Sequence, residues 1–266
     1  MELTGKREAF DELYLRYNQR DFVHPDPLEF LYNYQDLEDR EIAGLVASSL
    51  AYGRVAQILK STFFVLQQMQ PSPSAFLRYS SRELVFETFV KFKHRFTTGE
   101  DLASLLFGTK RVIERYGSLY GCFLKGMADH DDTVIPAISA FVKELYRGRD
   151  IEYTSLIPCP MKGSACKRLN LFLRWMVRKD NVDPGGWDRV PSSKLIIPLD
   201  THMYSISRAL RLTKRKQADM QTAFEITAAF KKISPEDPVK YDFALTRIGI
   251  RKEVDQSDFL NSLEYG

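Results

Sequence analysis

Two short stretches of this chain hold residue types that can do chemistry together. In GSACKRLN, residues 163–170, a glycine turn leads to Lys167. In LDTH, residues 199–202, an apolar run ending at Pro198 and Leu199 gives way to an acid, a hydroxyl and an imidazole in a row. A deprotonated lysine amine attacks electron-poor carbon, and a carboxylate stabilises positive charge that develops beside it. Asp200 also has a plain structural use. Its side chain can accept backbone N–H groups at a helix start, where its charge suits the positive end of the dipole.

The elements that must position these groups are helices. Pro160 and Gly163 mark a turn, and Ser164 is a good N-cap for a helix running to about Arg178. At 3.6 residues per turn, Ala165, Leu169, Phe172, Leu173 and Met176 share one side of it. Lys167, Arg174 and Arg178 fall nearly opposite, as a narrow basic stripe. Lys167 then lies one turn into the helix, near its N-terminus and beside Arg168. A stripe of this kind is equally the pattern of a solvated helix face.

The rest of the chain repeats the 3.6-residue period. It predicts a helix over 5–20, two helices joined at Ala51-Tyr52-Gly53, and further helices over 84–96, 101–117 and 133–148. Others follow near 200–211, 219–232 and 241–249. KLIIPL is the one β-like run, and Pro198 cuts it short. The expected fold class is all-α.

Composition narrows the function classes. Of 266 residues, 44% are hydrophobic and 27% charged, which suits a soluble globular protein and excludes wholesale disorder. No apolar run approaches the roughly 20 residues a membrane span needs. The charged start MELTGKREAF lacks a signal-peptide core, and three scattered cysteines form no disulfide or zinc pattern. The expectation is a monomer in the cytoplasm. A net charge of +3 permits a polyanionic partner without requiring one.

With both motifs and their order in view, the chain resembles the helix-hairpin-helix (HhH-GPD) superfamily of DNA glycosylases. Gly163 to Asn170 aligns without gaps onto the Gly-to-Asn part of the hairpin Leu-Pro-Gly-Val-Gly-x-Lys-Thr-Ala-Asn. Leu199-Asp200-Thr201-His202 aligns onto the downstream Val-Asp-Thr-His. LVASSLAYGRVAQIL is similar to the superfamily's early helix-loop-helix, and DPVKYDFALTRIGI to its closing helix. The long interval between Lys167 and Asp200 is similar to that of the archaeal 8-oxoguanine glycosylases. The chain as a whole also resembles an uncharacterised bacterial family of unknown function.

The resemblance implies a two-lobed fold with a cleft. One lobe would span 40–178; the other would combine 1–39 with 179–266. Lys167 and Asp200 would stand on opposite walls. It implies excision of an oxidised purine such as 8-oxoguanine from damaged duplex DNA, with β-lyase activity through a lysine Schiff base. Lys167 and Asp200 would be catalytic, with Thr201, His202 and Asn170 in support. Gly163, Ser164, Ala165, Arg168, Arg174, Arg178, Tyr52 and Arg54 would face DNA. Trp187 and Trp175 are candidates for the base pocket. No cofactor or metal is implied, because the four C-terminal cysteines of the iron–sulfur glycosylases are missing. Two alternatives stand beside this reading: a non-catalytic nucleic-acid-binding protein on the same scaffold, and an all-α protein-interaction module.

Overall fold

The structure is a computed structural model that describes residues 3–147, 156–160 and 163–250. Its fold is all-α, relieved among the described residues by one two-stranded hairpin. Among the described residues, no helix is long and apolar enough to cross a membrane.

The helix starts follow from short polar side chains. Asp36, Ser72, Ser81, Thr98, Ser118, Asp200 and Asp219 each accept a backbone N–H from the first turn of the helix they precede. Thr98 and Asp101 add a reciprocal capping box, and Gly117 closes the same helix at φ +81°.

By contact density the chain divides into two units, Met1–Val23 with Gly163–Gly266, and His24–Lys162. The second of these contains α2 (Leu37–Ser49), α3 (Val55–Gln68), α4 (Pro73–Tyr79), α5 (Arg82–Phe89), α6 (Gly99–Tyr116), α7 (Leu119–Lys125) and α8 (Ile135–Leu145). Helix α2 is buried along most of its length. Its Glu41 is only 1% exposed and accepts the N–H groups of Leu119 and Tyr120 at 2.9 and 3.3 Å. A buried carboxylate is thereby satisfied by the open start of α7. Between α5 and α6, β1 (Lys93–His94) and β2 (Thr97–Thr98) pair antiparallel, with Lys93 opposite Thr98 and His94 opposite Thr97.

The hairpin corrects the helix expected over 84–96, because α5 stops at Phe89. His94 turns inward, where Ser61 Oγ lies 2.9 Å from Nδ1 and the Tyr52 carbonyl 3.1 Å from Nε2. A carbonyl only accepts, so Nε2 carries the proton and Nδ1 accepts from the serine hydroxyl. Those bonds favour an extended His94 over another helical turn.

The other unit holds α1 (Arg7–Tyr17), α9 (Lys167–Val177), α10 (Thr201–Ala209), α11 (Met220–Lys231) and α12 (Asp242–Ile250). Phe10 of α1 meets Phe230 edge-on at 5.8 Å and Tyr241 at 5.3 Å. Asp11 accepts from Lys240 at 2.5 Å and Tyr241 Oη at 2.9 Å, and Tyr14 Oη donates to Asp180 at 2.9 Å. KLIIPL forms no strand. Leu195 to Leu199 run buried, and the Ile197 N–H is taken by Thr227 Oγ1 at 3.1 Å.

The unit boundaries therefore lie at 23/24 and 162/163 rather than at 39/40 and 178/179. The cause is Arg174 of α9 with Arg178 at its C-terminal cap, which are bonded to Asp180, Asp183, Asp237 and Asp242. Lys167 and Asp200, expected on opposite lobes, belong to one unit.

Candidate functional site

The hairpin motif folds as a turn rather than as the first turn of a helix. Gly163 sits at φ +76°, and its carbonyl accepts the Met220 N–H at 3.4 Å. Ser164 Oγ accepts the Cys166 N–H at 3.2 Å, and the buried Ala165 offers its carbonyl to Asn170 Nδ2 at 3.0 Å. Cys166 is buried and left-handed at φ +46°, an uncommon state for a residue with a Cβ. Helix α9 therefore starts at Lys167, two residues after the Ala165 that a Ser164 N-cap would make its first residue, and Ser164 caps a turn instead. Lys167 and Arg168 are half-exposed at that start. Asn170 is buried, and its Oδ1 has no hydrogen-bond partner among the described residues.

The second motif opens α10. Asp200 is its N-cap, with Oδ1 accepting the Met203 N–H at 2.7 Å. Among the described residues, Asp200 Oδ2 makes no hydrogen bond. One oxygen is thus used by the fold and the other is not. Thr201 is exposed. His202 packs on α12, where a Cβ added to Gly249 would lie 3.2 Å from its Nδ1.

Two buried acids connect these helices electrically. Arg174 reaches Asp183 at 3.1 Å and Asp242 at 2.5 Å. Complete burial pushes the Asp242 carboxyl up to about 6; Arg174 opposes this, while the charges of Asp200 and Asp183 add to it. Asp242 Oδ1 is buried with no hydrogen-bond partner among the described residues. Lys167 and Arg174 are seven residues apart and so share one face of α9. Arg174 bonds Asp242, and Asp242 in turn feels the charge of Asp200.

A scan against known families decides the kinship: a family model described as protein of unknown function (DUF2400) matches residues 26–251. The chain belongs to the DUF2400 family. No curated protein and no solved structure matches it.

Several expected contact residues of this DUF2400 chain have other employment. Arg174 and Arg178 are 3% and 4% exposed and so do not present a basic stripe. Arg178 bonds Asp180 and Asp237, each at 2.8 Å, and also Asp183. Burial alone would lower the Arg178 pKa, but the three carboxylates hold it well above the ordinary guanidinium value. The helical wheel of α9 could not reveal this, because the acids lie outside the helix. The cluster DNVD at 180–183 was the available signal.

Trp175 and Trp187 are core residues, not walls of a base pocket. Both are fully buried, and Trp187 meets Phe172 edge-on at 5.1 Å. Tyr52 and Arg54 lie in the other unit. Tyr52 is half-buried with its hydroxyl on the His94 carbonyl at 2.8 Å and on Thr97 Oγ1 at 2.6 Å, whereas Arg54 is exposed. The three cysteines, Cys122, Cys159 and Cys166, are free and buried.

Proposed function

We propose that this protein is a base-excision DNA glycosylase with β-lyase activity, acting on an oxidised purine such as 8-oxoguanine. The Lys167 amine bonds to C1′ of the damaged nucleoside while the glycosidic C–N bond breaks, and the base departs with the electron pair. Opening of the sugar gives a Schiff base. Loss of a C2′ proton then expels the 3′ phosphate, and water releases the lysine. Asp200 supplies negative charge to the oxocarbenium-like transition state. The base must first be rotated out of the stack.

The single observation that carries this reading is the pairing of the two motifs. Lys167 opens α9 after a glycine turn, and Asp200 opens α10 with one carboxylate oxygen outside the cap. Both groups belong to one compact unit, which supports their acting together. The likeness to the HhH-GPD glycosylases supports the order of the two groups along the chain.

Borohydride trapping on duplexes carrying 8-oxoguanine or an abasic site tests the proposal. Lys167→Gln should abolish the covalent adduct. Asp200→Asn keeps the cap, so stability should fall by well under about 1 kcal/mol, while excision should slow by roughly 10²–10³. An adduct formed by Lys167→Gln at the wild-type rate would sink the nucleophile assignment. An active Asp200→Asn protein would leave Asp200 as a cap and nothing more.

A further inference from the structure

The second unit carries a surface that the excision chemistry does not use. Residues 42–82 and 88–99 contain no aspartate or glutamate, yet they hold Arg54, Lys60, Arg78, Arg82, Lys91, Lys93 and Arg95. Seven of the eight large hydrophobic side chains exposed among the described residues also fall between Val55 and Phe96. Arg78 is paired with Glu38 at 3.1 Å; Arg54, Lys91, Lys93 and Arg95 are exposed, so cations and exposed apolar groups coincide in one stretch of chain.

The β1–β2 hairpin concentrates both. At its tip Phe96 is 77% exposed, with the Arg95 guanidinium 5.5 Å from its ring centre. Arg95 is left-handed at φ +53°, and its side chain lies across Gly53, where an added Cβ would come within 2.7 Å of its Cδ. That contact joins the hairpin to the corner bearing Arg54. Below the hairpin opens a groove of about 810 Å³, bordered by Phe86, Val90, Phe92, Lys91 and Lys93. Glu87 and Glu100 also border it.

We propose that the β1–β2 hairpin and its groove bind a single-stranded DNA segment, with Phe96 stacking on a base and Lys91, Lys93, Arg95 and Arg54 taking phosphates. An aromatic ring between cations is the combination that binds unpaired strands without sequence preference, because every base has a π-face. The strand leading to the tip is tied down through His94 by Tyr52 and Ser61, which limits the ordering that binding must supply. A concave groove suits an unstacked base. Membrane insertion would use a convex apolar face, so an anionic lipid surface fits the groove less well. Glu87 and Glu100 repel phosphates and confine the backbone to the lysine side. The inference shares only its class of partner with the proposed function, so the two fail separately.

Fluorescence anisotropy with labelled dT20 across a salt series tests it on the full chain. Wild type should bind with a steep salt dependence. Phe96→Ala, which removes an exposed ring, should weaken binding roughly 5- to 150-fold with an unchanged circular dichroism spectrum. Lys91→Gln with Lys93→Gln should lower the slope of log K against log salt by about 1.4, at roughly 0.7 per lost phosphate. Absence of wild-type binding, or variants with wild-type affinity and slope, overturns the inference, as does binding confined to phosphatidylserine vesicles. Variants that lose dT20 binding in a protein without excision activity would support the inference and end the glycosylase reading.

Discussion

Arg174 in α9 and Arg178 at its C-terminal cap are one helical turn apart, and Lys93 and Arg95 in the hairpin are two residues apart. As residue types in a sequence, the two pairs invite the same expectation of a cationic surface. The α9 pair lies instead among Asp180, Asp183, Asp237 and Asp242, almost out of contact with water. Lys93 and Arg95 are exposed, and no acid occurs between residues 88 and 99. What separates the pairs is the distribution of acids elsewhere in the chain, not the spacing of the cations. Asp237 and Asp242 come from 59 and 68 residues beyond the arginines they hold. A buried cation must find such partners, because its desolvation costs several kcal/mol otherwise.

The sharpest way to break this comparison is one substitution made in both places. Arg178→Met retains bulk but leaves three carboxylates facing one another, and should cost about 3–5 kcal/mol. Lys93→Met removes an exposed charge and should change stability by less than about 0.5 kcal/mol. Urea unfolding midpoints measure both. An Arg178→Met protein as stable as wild type would mean that the network does not hold α9 in place.

The same contrast explains how much of the molecule was legible. Helices with local signals were read from the chain: α6 from its amphipathic stripe and closing Gly117, α10 from Asp200, and α11 from its period. Where distant partners decide, the period misled. The α5 pattern continues past Phe89, but His94 is recruited by Ser61 and Tyr52, and a hairpin forms. Ser164 looked like an N-cap, yet Cys166 adopts a left-handed turn and α9 starts at Lys167. Of the candidate site, the two motifs and Asp200's capping role were visible. Asp183 could be suspected from the DNVD cluster, but Asp242 could not, since it lies 68 residues beyond the arginine it pairs with.

A smaller effect should sharpen the network side of the comparison. The Asp242 carboxyl is raised from its ordinary 3.8 to about 6 in the folded chain by complete burial, with Asp200 and Asp183 adding and Arg174 opposing. Between those values the folded state binds more proton than the unfolded state, so this group's contribution to stability falls as pH rises through the window. Asparagine mimics the neutral form throughout. The difference in Tm between Asp242→Asn and wild type should therefore move in the variant's favour from pH 4 to pH 7, by several degrees at about 2–4 °C per kcal/mol. A difference independent of pH would mean that Asp242 titrates normally.

The smallest effect concerns Tyr52, expected from the sequence to touch DNA and found holding the hairpin. Its ring stands edge-on to His94 at 4.6 Å, and its hydroxyl serves the His94 carbonyl and Thr97. Tyr52→Phe keeps the ring contact and deletes only the hydroxyl bonds, which should cost about 0.5–1.5 kcal/mol. If the hydroxyl only positions the hairpin, the cations stay where they are and the salt slope of dT20 binding is unchanged. Affinity then falls, if at all, in step with the lost stability of the hairpin. If the hydroxyl instead meets DNA directly, affinity falls while the melting temperature stays at the wild-type value. Paired melting and anisotropy measurements on this one variant separate the two roles, and the bonds to β1 and β2 favour the first.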